Sequence, residues 1–233
     1  MKIQGAVVLV TGANRGLGAA FTTALLARGA KKVYAAARDP ASVRMDGVVP
    51  VKLDVTQPGD IAALAAQCED VTLLINNAGI ARNTALLATD SVEAARAEIE
   101  TNFFGPLNLA KAFVPILRTN GGGAILNILS VLSWISLPGV ATYCVSKSAA
   151  WSMTNGLRNE LREQGTQVVG LHVGLMDTDM ASSTDAPKAK PADVVRKALD
   201  VIENGGEEVL ADELSGQVKQ GLSAGVYLQA ASA

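Results

Sequence analysis

Tyr143 and Lys147 stand four positions apart in Tyr143-Cys144-Val145-Ser146-Lys147. On a helix, that spacing puts both side chains on one face. A free phenol, with a pKa of about 10, exchanges protons poorly near neutrality. An ammonium about 4 Å away, at an effective dielectric near 20, favours the phenolate by roughly 4 kcal/mol, or about three pKa units. The pair is therefore expected to bring Tyr143 toward neutrality, where general acid–base chemistry works best. Standing alone, Tyr-x-x-x-Lys also describes an ordinary surface pair.

A second constellation sits near the start of the chain, Thr11-Gly12-Ala13-Asn14-Arg15-Gly16-Leu17-Gly18. Gly12 can make a tight exit from a strand. Gly16 and Gly18 let backbone and helix come close to a diphosphate, and a helix start offers free N–H groups and a positive dipole end. The glycine spacing, GxxxGxG, differs from GxGxxG. Dinucleotide folds read the adenosine ribose about 20 residues further on, with a carboxylate for a 2′-hydroxyl or an Arg for a 2′-phosphate. Arg38 stands there, and Arg15 adds a second guanidinium able to pair with phosphate. The expected cofactor is NADP(H) rather than NAD(H), with Asp39 able to compete for Arg38. Asp54, in Leu53-Asp54-Val55-Thr56, can accept from an adenine amino group or serve as a turn carboxylate. Asn76-Asn77-Ala78-Gly79 is good turn chemistry that also admits a cofactor closely.

Taken in order, the glycine turn, Asn-Asn-Ala-Gly, Asn102, Ser130 and Tyr-x-x-x-Lys resemble the classical short-chain dehydrogenase/reductase family. The resemblance runs from the TGANRGLG turn to about Met180. It implies that Ser130, thirteen positions before Tyr143, hydrogen-bonds the substrate oxygen, with Ser133 as a helper or structural residue. Tyr143 would donate the proton in reduction and accept it in oxidation. Lys147 would bind the nicotinamide ribose and lower the tyrosine pKa. Asn102 would position a water of the proton relay, and equally suits a helix-kink amide near Pro106. The implied cofactor contacts are Gly12, Asn14, Arg15, Gly16, Leu17, Gly18, Arg38, Asp54, Val55, Asn77, Ala78, Gly79, Tyr143, Lys147, Gly174, Met176 and Thr178. The chain departs from the family at Val173, where a proline is usual, so a more flexible nicotinamide loop is expected. His172 reads as a packed histidine. Asp177 and Asp179 read as loop or cap residues.

Positioning these groups needs a particular scaffold. Short aliphatic runs at 6–10, 32–37, 48–53, 71–75, 124–129, 167–173 and 207–210 read as strands. Several are apolar at consecutive positions, which suits strands covered on both faces. Helical patterns lie between them at 16–28, 58–68, 91–117, 142–164 and 191–203, with Pro106 expected to kink the third. The alternation predicts an α/β fold, a doubly wound parallel sheet of Rossmann type, as a single domain over 1–233. The tail from Gly216 is weakly patterned.

Composition narrows the partners. The 233 residues are 49% apolar and 18% charged, which excludes a disordered chain. Aromatics are only 4%, so the core must be built from Ala, Val, Leu and Ile. Net charge is −2 with no Lys/Arg cluster, so no nucleic-acid or anionic-membrane surface is expected. The uncharged stretch 119–146 is broken by glycines, serines and a proline, and reads as strand and loop rather than a membrane span. Cys68 and Cys144 read as two thiols of a cytoplasmic protein. With one histidine and no ligand spacing, no metal site is expected. The resemblance implies a homo-oligomer, dimer or tetramer, through the helices at 91–117 and 142–164. The functional expectation is an NADPH-dependent carbonyl reductase for small hydrophobic ketones or aldehydes. Trp134, Leu137, Met176 and Met180 are expected to line its pocket, with Trp134 equally suited to the core or an interface. Oxidation of secondary alcohols and a non-catalytic NADP(H)-binding sensor or scaffold are the alternatives.

Overall fold

The computed structural model describes residues 1–178 and 188–229. The strands are β1 (Val7–Thr11), β2 (Lys32–Ala37), β3 (Val49–Lys52), β4 (Leu73–Asn76), β5 (Ala124–Ile128), β6 (Gln167–His172) and β7 (Glu208–Leu210). They form one parallel sheet in the order β3-β2-β1-β4-β5-β6-β7. The helices are α1 (Gly16–Ala27), α2 (Pro58–Gln67), α3 (Ser91–Ile99), α4 (Gly105–Thr119), α5 (Ala141–Glu160), α6 (Pro191–Glu203) and α7 (Glu213–Gly221).

The period-two alternation of a strand sorts its side chains into two cores. Val8 and Val10 of β1, Leu73 and Ile75 of β4, and Leu126 of β5 join Phe21 and Leu25 of α1 and Leu199 of α6 on one face. Val7, Leu9, Leu74 and Ile125 face the other way, toward Leu64 of α2 and Phe113 and Leu117 of α4. Every residue of β1 is buried, as a strand covered on both faces requires. β1 pairs with β2 on one side and β4 on the other, so the strand order reverses between β1 and β4. In open α/β sheets, ligands bind beyond the carboxyl ends of the strands at such a switch point.

The helix expected at 91–117 is three pieces. α3 ends at Ile99, a wider π-helical turn covers Glu100–Phe104, and α4 begins at Gly105. Pro106 falls in the first turn of α4, directly after the π turn, and has no N–H to continue the ladder. The interruption is the π turn, which carries Asn102 inward, 2% exposed. The α5 pattern read to 164 stops at Glu160. α7 was not anticipated, because Gly216, Gln217 and Lys219 dilute its apolar stripe. Its start is fixed by Asp212, whose Oδ1 accepts from Ser215 N at 2.8 Å. Among the described residues, no helix is long and apolar enough to cross a membrane.

Candidate active site

The glycine turn leaves β1 at Thr11, and Asn77 clamps it from β4. Asn77 Nδ2 donates to Thr11 O at 2.7 Å and to Gly12 O at 3.2 Å. The amides of Asn77 and Ala78 both donate to Thr11 Oγ1 at 2.9 Å. Gly12 has φ +64°, a left-handed conformation that favours glycine. A Cβ on Gly18 would overlap the Gly12 carbonyl oxygen, so Gly18 lets α1 close onto the turn. Leu17 is anchored in the core, 5% exposed. Asn14, Arg15 and Gly16 are exposed. α1 begins at the glycine turn with no side-chain cap and no acidic residue in its first turn, so its positive dipole end is not offset by a carboxylate of that turn.

Arg38 is exposed just past β2. Asp39 does not take it up as an ion-pair partner. Its Oδ1 accepts from Ala41 N at 3.0 Å and caps the short turn Pro40–Ser42. Asp54 lies two residues past β3, its Oδ1 accepting from Thr56 N at 3.0 Å and Thr56 Oγ1 at 2.7 Å. Val55 is buried against Gly105, where a Cβ would come within 3.0 Å of Val55 Cγ2. After β6, Gly174 N donates to Asp212 Oδ2 at 2.6 Å. Met176 forms a bridge with Ala189, and Thr178 N donates to Met176 O at 2.8 Å. A Cβ on Gly16 would lie 3.5 Å from Thr178 Cγ2, so this segment returns across the glycine turn.

The second constellation assembles beside it. Ser130 follows β5 and caps the turn Val131–Ser133, its Oγ accepting from Leu132 N at 3.1 Å. That hydroxyl donates to Val173 O at 3.4 Å and is a polar neighbour of the Tyr143 phenol. Tyr143 and Lys147 share one face of α5, with Nζ 5.6 Å from the ring centroid. Lys147 is 6% exposed and donates to Ile128 O at 2.8 Å. Asn102 Oδ1 accepts from Ile80 N, and its Nδ2 donates to Ile80 O and Ser146 Oγ, each at 2.9 Å. Ser146 in turn donates to Tyr143 O at 2.8 Å. A Cβ on Gly79 would lie 3.1 Å from Asn102 Oδ1 and 3.9 Å from Lys147 Nζ, which brings these three residues to one place.

The short chain dehydrogenase family profile matches residues 6–189. The chain belongs to the short-chain dehydrogenase family. A short chain dehydrogenase from Burkholderia cenocepacia, solved in complex with NADP, is 43% identical with a TM-score of 0.93, covering 97% of this chain and 95% of that one. A carbonyl reductase from chicken fatty liver, solved with NADPH bound, is 31% identical with a TM-score of 0.77, covering 86% and 92%. The NADP-dependent 3-hydroxy acid dehydrogenase of Schizosaccharomyces pombe is 32% identical over 194 residues, 77% of this chain and 75% of its own length.

The electrostatics of this family member depart from the arithmetic of spacing. Desolvation pushes the half-buried Tyr143 phenol up, and its neighbours Cys144 and Glu98 add to the rise, while the Ser130 hydroxyl pulls it down. Burial pushes the Lys147 ammonium down to about 8. The expectation that Lys147 draws Tyr143 toward neutrality is not met in this structure. It left out the cost of desolvating both charges, and it assumed a separation of about 4 Å. His172 is 1% exposed, and burial pushes it down to about 4, so it is neutral at pH 7. It is a packed histidine, as read from its strand context.

Glu98, Asp212 and Ser146 were missed. Glu98 is fully buried, and its Oε1 accepts from Arg82 N at 2.6 Å. Its only sequence signal is a carboxylate four residues before Asn102, on the buried stripe that includes Ala94. One cavity lies away from the catalytic groups and does not bear on the expected pocket. This cavity, of about 340 Å³, is lined by Trp134, Ile135, Ser136, Cys144, Val145, Ser148 and Tyr227. Trp134 lines it, Leu137 and Met176 do not, and none of Asn102, Ser130, Tyr143 and Lys147 does. Asp179 and Met180 lie outside the described residues.

Proposed function

We propose that this chain is an NADPH-dependent carbonyl reductase acting on small hydrophobic ketones or aldehydes. The observation that carries the reading is the convergence of Ser130, Tyr143 and Lys147, joined to the glycine turn through Gly79, against Lys147, and Ala78, against Gly12. Tyr143, a neutral phenol held up by burial, carries the proton destined for the substrate oxygen. Ser130 donates a hydrogen bond to that same oxygen. Its present acceptor, Val173 O, lies at a long 3.4 Å and is readily exchanged. Asn102 holds the main chain of Ile80 against Ser146 and acts as a positioning residue at the relay end, where the water is expected.

The residues fit NADP(H). The N-terminal end of α1, with no side-chain cap, suits the diphosphate, and Gly12, Asn14, Gly16 and Gly18 keep the approach open. Arg15 and Arg38 suit the 2′-phosphate. Asp54 and Val55 border the adenine, and Asn77, Ala78 and Gly79 lie along the ribose side. Lys147 has three N–H donors, of which the bond to Ile128 O needs one, leaving others for ribose hydroxyls. Gly174, Met176 and Thr178 border the nicotinamide. A nicotinamide cofactor held by these residues would supply the hydride for the carbonyl carbon. The NADP and NADPH complexes of the two similar structures support this choice, and the chicken enzyme supports the carbonyl class.

A second reading is oxidation of a secondary alcohol at the same site, favoured by the 3-hydroxy acid dehydrogenase of S. pombe. The protein is further read as a cytoplasmic homo-oligomer. Its two free, buried cysteines suit a reducing compartment. NADPH oxidation against ketones, aldehydes, a 3-oxo acid and an acyl thioester, with NADH in parallel and alcohols in reverse, tests all of this. Faster turnover of hydrophobic ketones or aldehydes with NADPH is expected. Strong preference for the thioester refutes the substrate class, and preference for NADH refutes the cofactor. Tyr143→Phe should cut turnover roughly 10²- to 10⁴-fold while keeping NADPH binding. Near-wild-type turnover removes Tyr143 from the chemistry.

A further inference from the structure

The main chain at Ser130 is held from several directions. Its N–H donates to Ser133 Oγ at 3.3 Å, and its carbonyl accepts from Ser133 N at 3.0 Å. A third tie comes from outside the turn. His172 Nδ1, on neighbouring strand β6, lies 3.1 Å from Ser130 O. A carbonyl only accepts, so Nδ1 carries the proton and donates, which fixes the tautomer. The same imidazole stacks on Trp134, with centroids 3.8 Å apart and planes 19° from parallel. Ser130 and Trp134 are the N-cap and C-cap of the turn Val131–Ser133. One ring therefore holds the turn at both ends.

That ring has little freedom. It is 1% exposed. Lys219 of α7 lies over the Trp134 ring, 5.1 Å from its centroid, and pairs with Glu208 Oε1 of β7 at 2.8 Å. The same Glu208 oxygen is 3.8 Å from His172 Nε2. Arg158 is the remaining cation whose charge reaches the imidazole. Residues of β6, β7, α7 and the Ser130 turn thus converge on one side chain, which the proposed proton transfer does not use.

We infer that His172 is a positioning residue for the reaction: it clasps the Ser130–Trp134 turn and so fixes where the Ser130 hydroxyl meets the substrate oxygen. The inference rests on the carbonyl-reductase reading for its kinetic consequence, and on geometry alone for the clasp. It separates two functions of the ring, the Nδ1 donor and the stacking face. Asn places an N–H close to where Nδ1 stands but has no ring to stack. Gln reaches instead toward the Nε2 position. Phe keeps a stacking face and has no donor.

The test compares His172→Asn, His172→Gln and His172→Phe, alone and with Ser130→Ala. Each is read by steady-state kinetics with NADPH and by hydrogen exchange over residues 129–136. His172→Phe and His172→Gln should lower kcat about tenfold, with the KM for NADPH unchanged. His172→Asn should recover most of that loss. In the Ser130→Ala background, the His172→Phe loss should vanish, because the residue through which it acts is gone. Exchange at Leu132 and Ser133 should quicken in Phe and Gln and stay slow in Asn. Equal kcat in folded wild type and His172→Phe overturns the inference, as does an Asn variant no better than Gln. A loss that persists in full without the Ser130 hydroxyl also overturns it. If the wild type turns over no carbonyl, the functional reading falls, and unchanged exchange in the Phe and Gln variants then refutes the clasp independently. Should Phe fail to fold, the Asn and Gln pair decides.

Discussion

Replacing Lys147 by Met should stabilise the protein at neutral pH while abolishing its turnover. Lys147 is 6% exposed, and burial pushes its pKa from 10.5 to about 8. At 1.36 kcal/mol per pKa unit, holding it charged in the fold costs roughly 3 kcal/mol. The cost is present in full below pH 8, where the lysine is protonated both folded and unfolded. Between about 8 and 10.5 the unfolded chain binds the extra proton, so stability rises with pH and the cost disappears. Lys147→Met removes it but also leaves Ile128 O without its 2.8 Å partner, a loss of about 1 kcal/mol. The net gain at pH 7 is about 2 kcal/mol, or roughly 4–8 °C in Tm for a chain of this length. Thermal or urea unfolding of both proteins at pH 7 and pH 9.5 measures it. The variant should be the more stable at pH 7, with the gap closing at pH 9.5. A Lys147→Met protein less stable than wild type at pH 7, or a gap that does not narrow, refutes the argument from burial.

Two further outcomes follow from named contacts. Arg38→Ala should reduce the preference for NADPH over NADH roughly 10- to 100-fold, read as the ratio of kcat/KM values, because a charge-assisted phosphate contact is lost. Glu98→Gln keeps the acceptor for Arg82 N but removes a negative charge that opposes the Tyr143 phenolate. The rise of kcat/KM for alcohol oxidation with pH should therefore move to lower pH.

The inner strands β1, β2, β4, β5 and β6 were legible because each is a short aliphatic run buried on both faces, while the edge strands β3 and β7 are only partly buried and carry a weaker form of the same pattern. The motif residues were legible for a different reason: glycines at a positive φ and a Tyr/Lys pair at helical spacing leave marks in the residue types themselves. What escaped was tertiary. The interruption at Glu100–Phe104 looked like a proline kink, since nothing in the sequence distinguishes a π turn from the helix around it. Asp212 caps α7 and also holds Gly174 from 38 residues away, a pairing that no local pattern announces. The Tyr143 pKa was misjudged for the same reason. Spacing shows which groups are neighbours, while burial, which shifts both, is a property of the assembled fold.

That burial bears on the direction of catalysis. In water a tyrosine and a lysine have almost the same proton affinity. Here the phenol is pushed up and the ammonium down to about 8, so the two are driven apart. Below pH 8 the site holds a neutral phenol beside an ammonium, the state suited to giving a proton to a carbonyl oxygen. Alcohol oxidation needs the phenolate, which is scarce until the solution is strongly alkaline. Reduction should accordingly run level from about pH 6 to 8 and fall above 8 as Lys147 loses its charge. Oxidation should climb across that range and beyond. Measuring kcat/KM in both directions from pH 6 to 10 tests this. An oxidation rate that is flat, or a reduction rate that rises above pH 8, would mean that the phenol is not the group whose proton sets the rate.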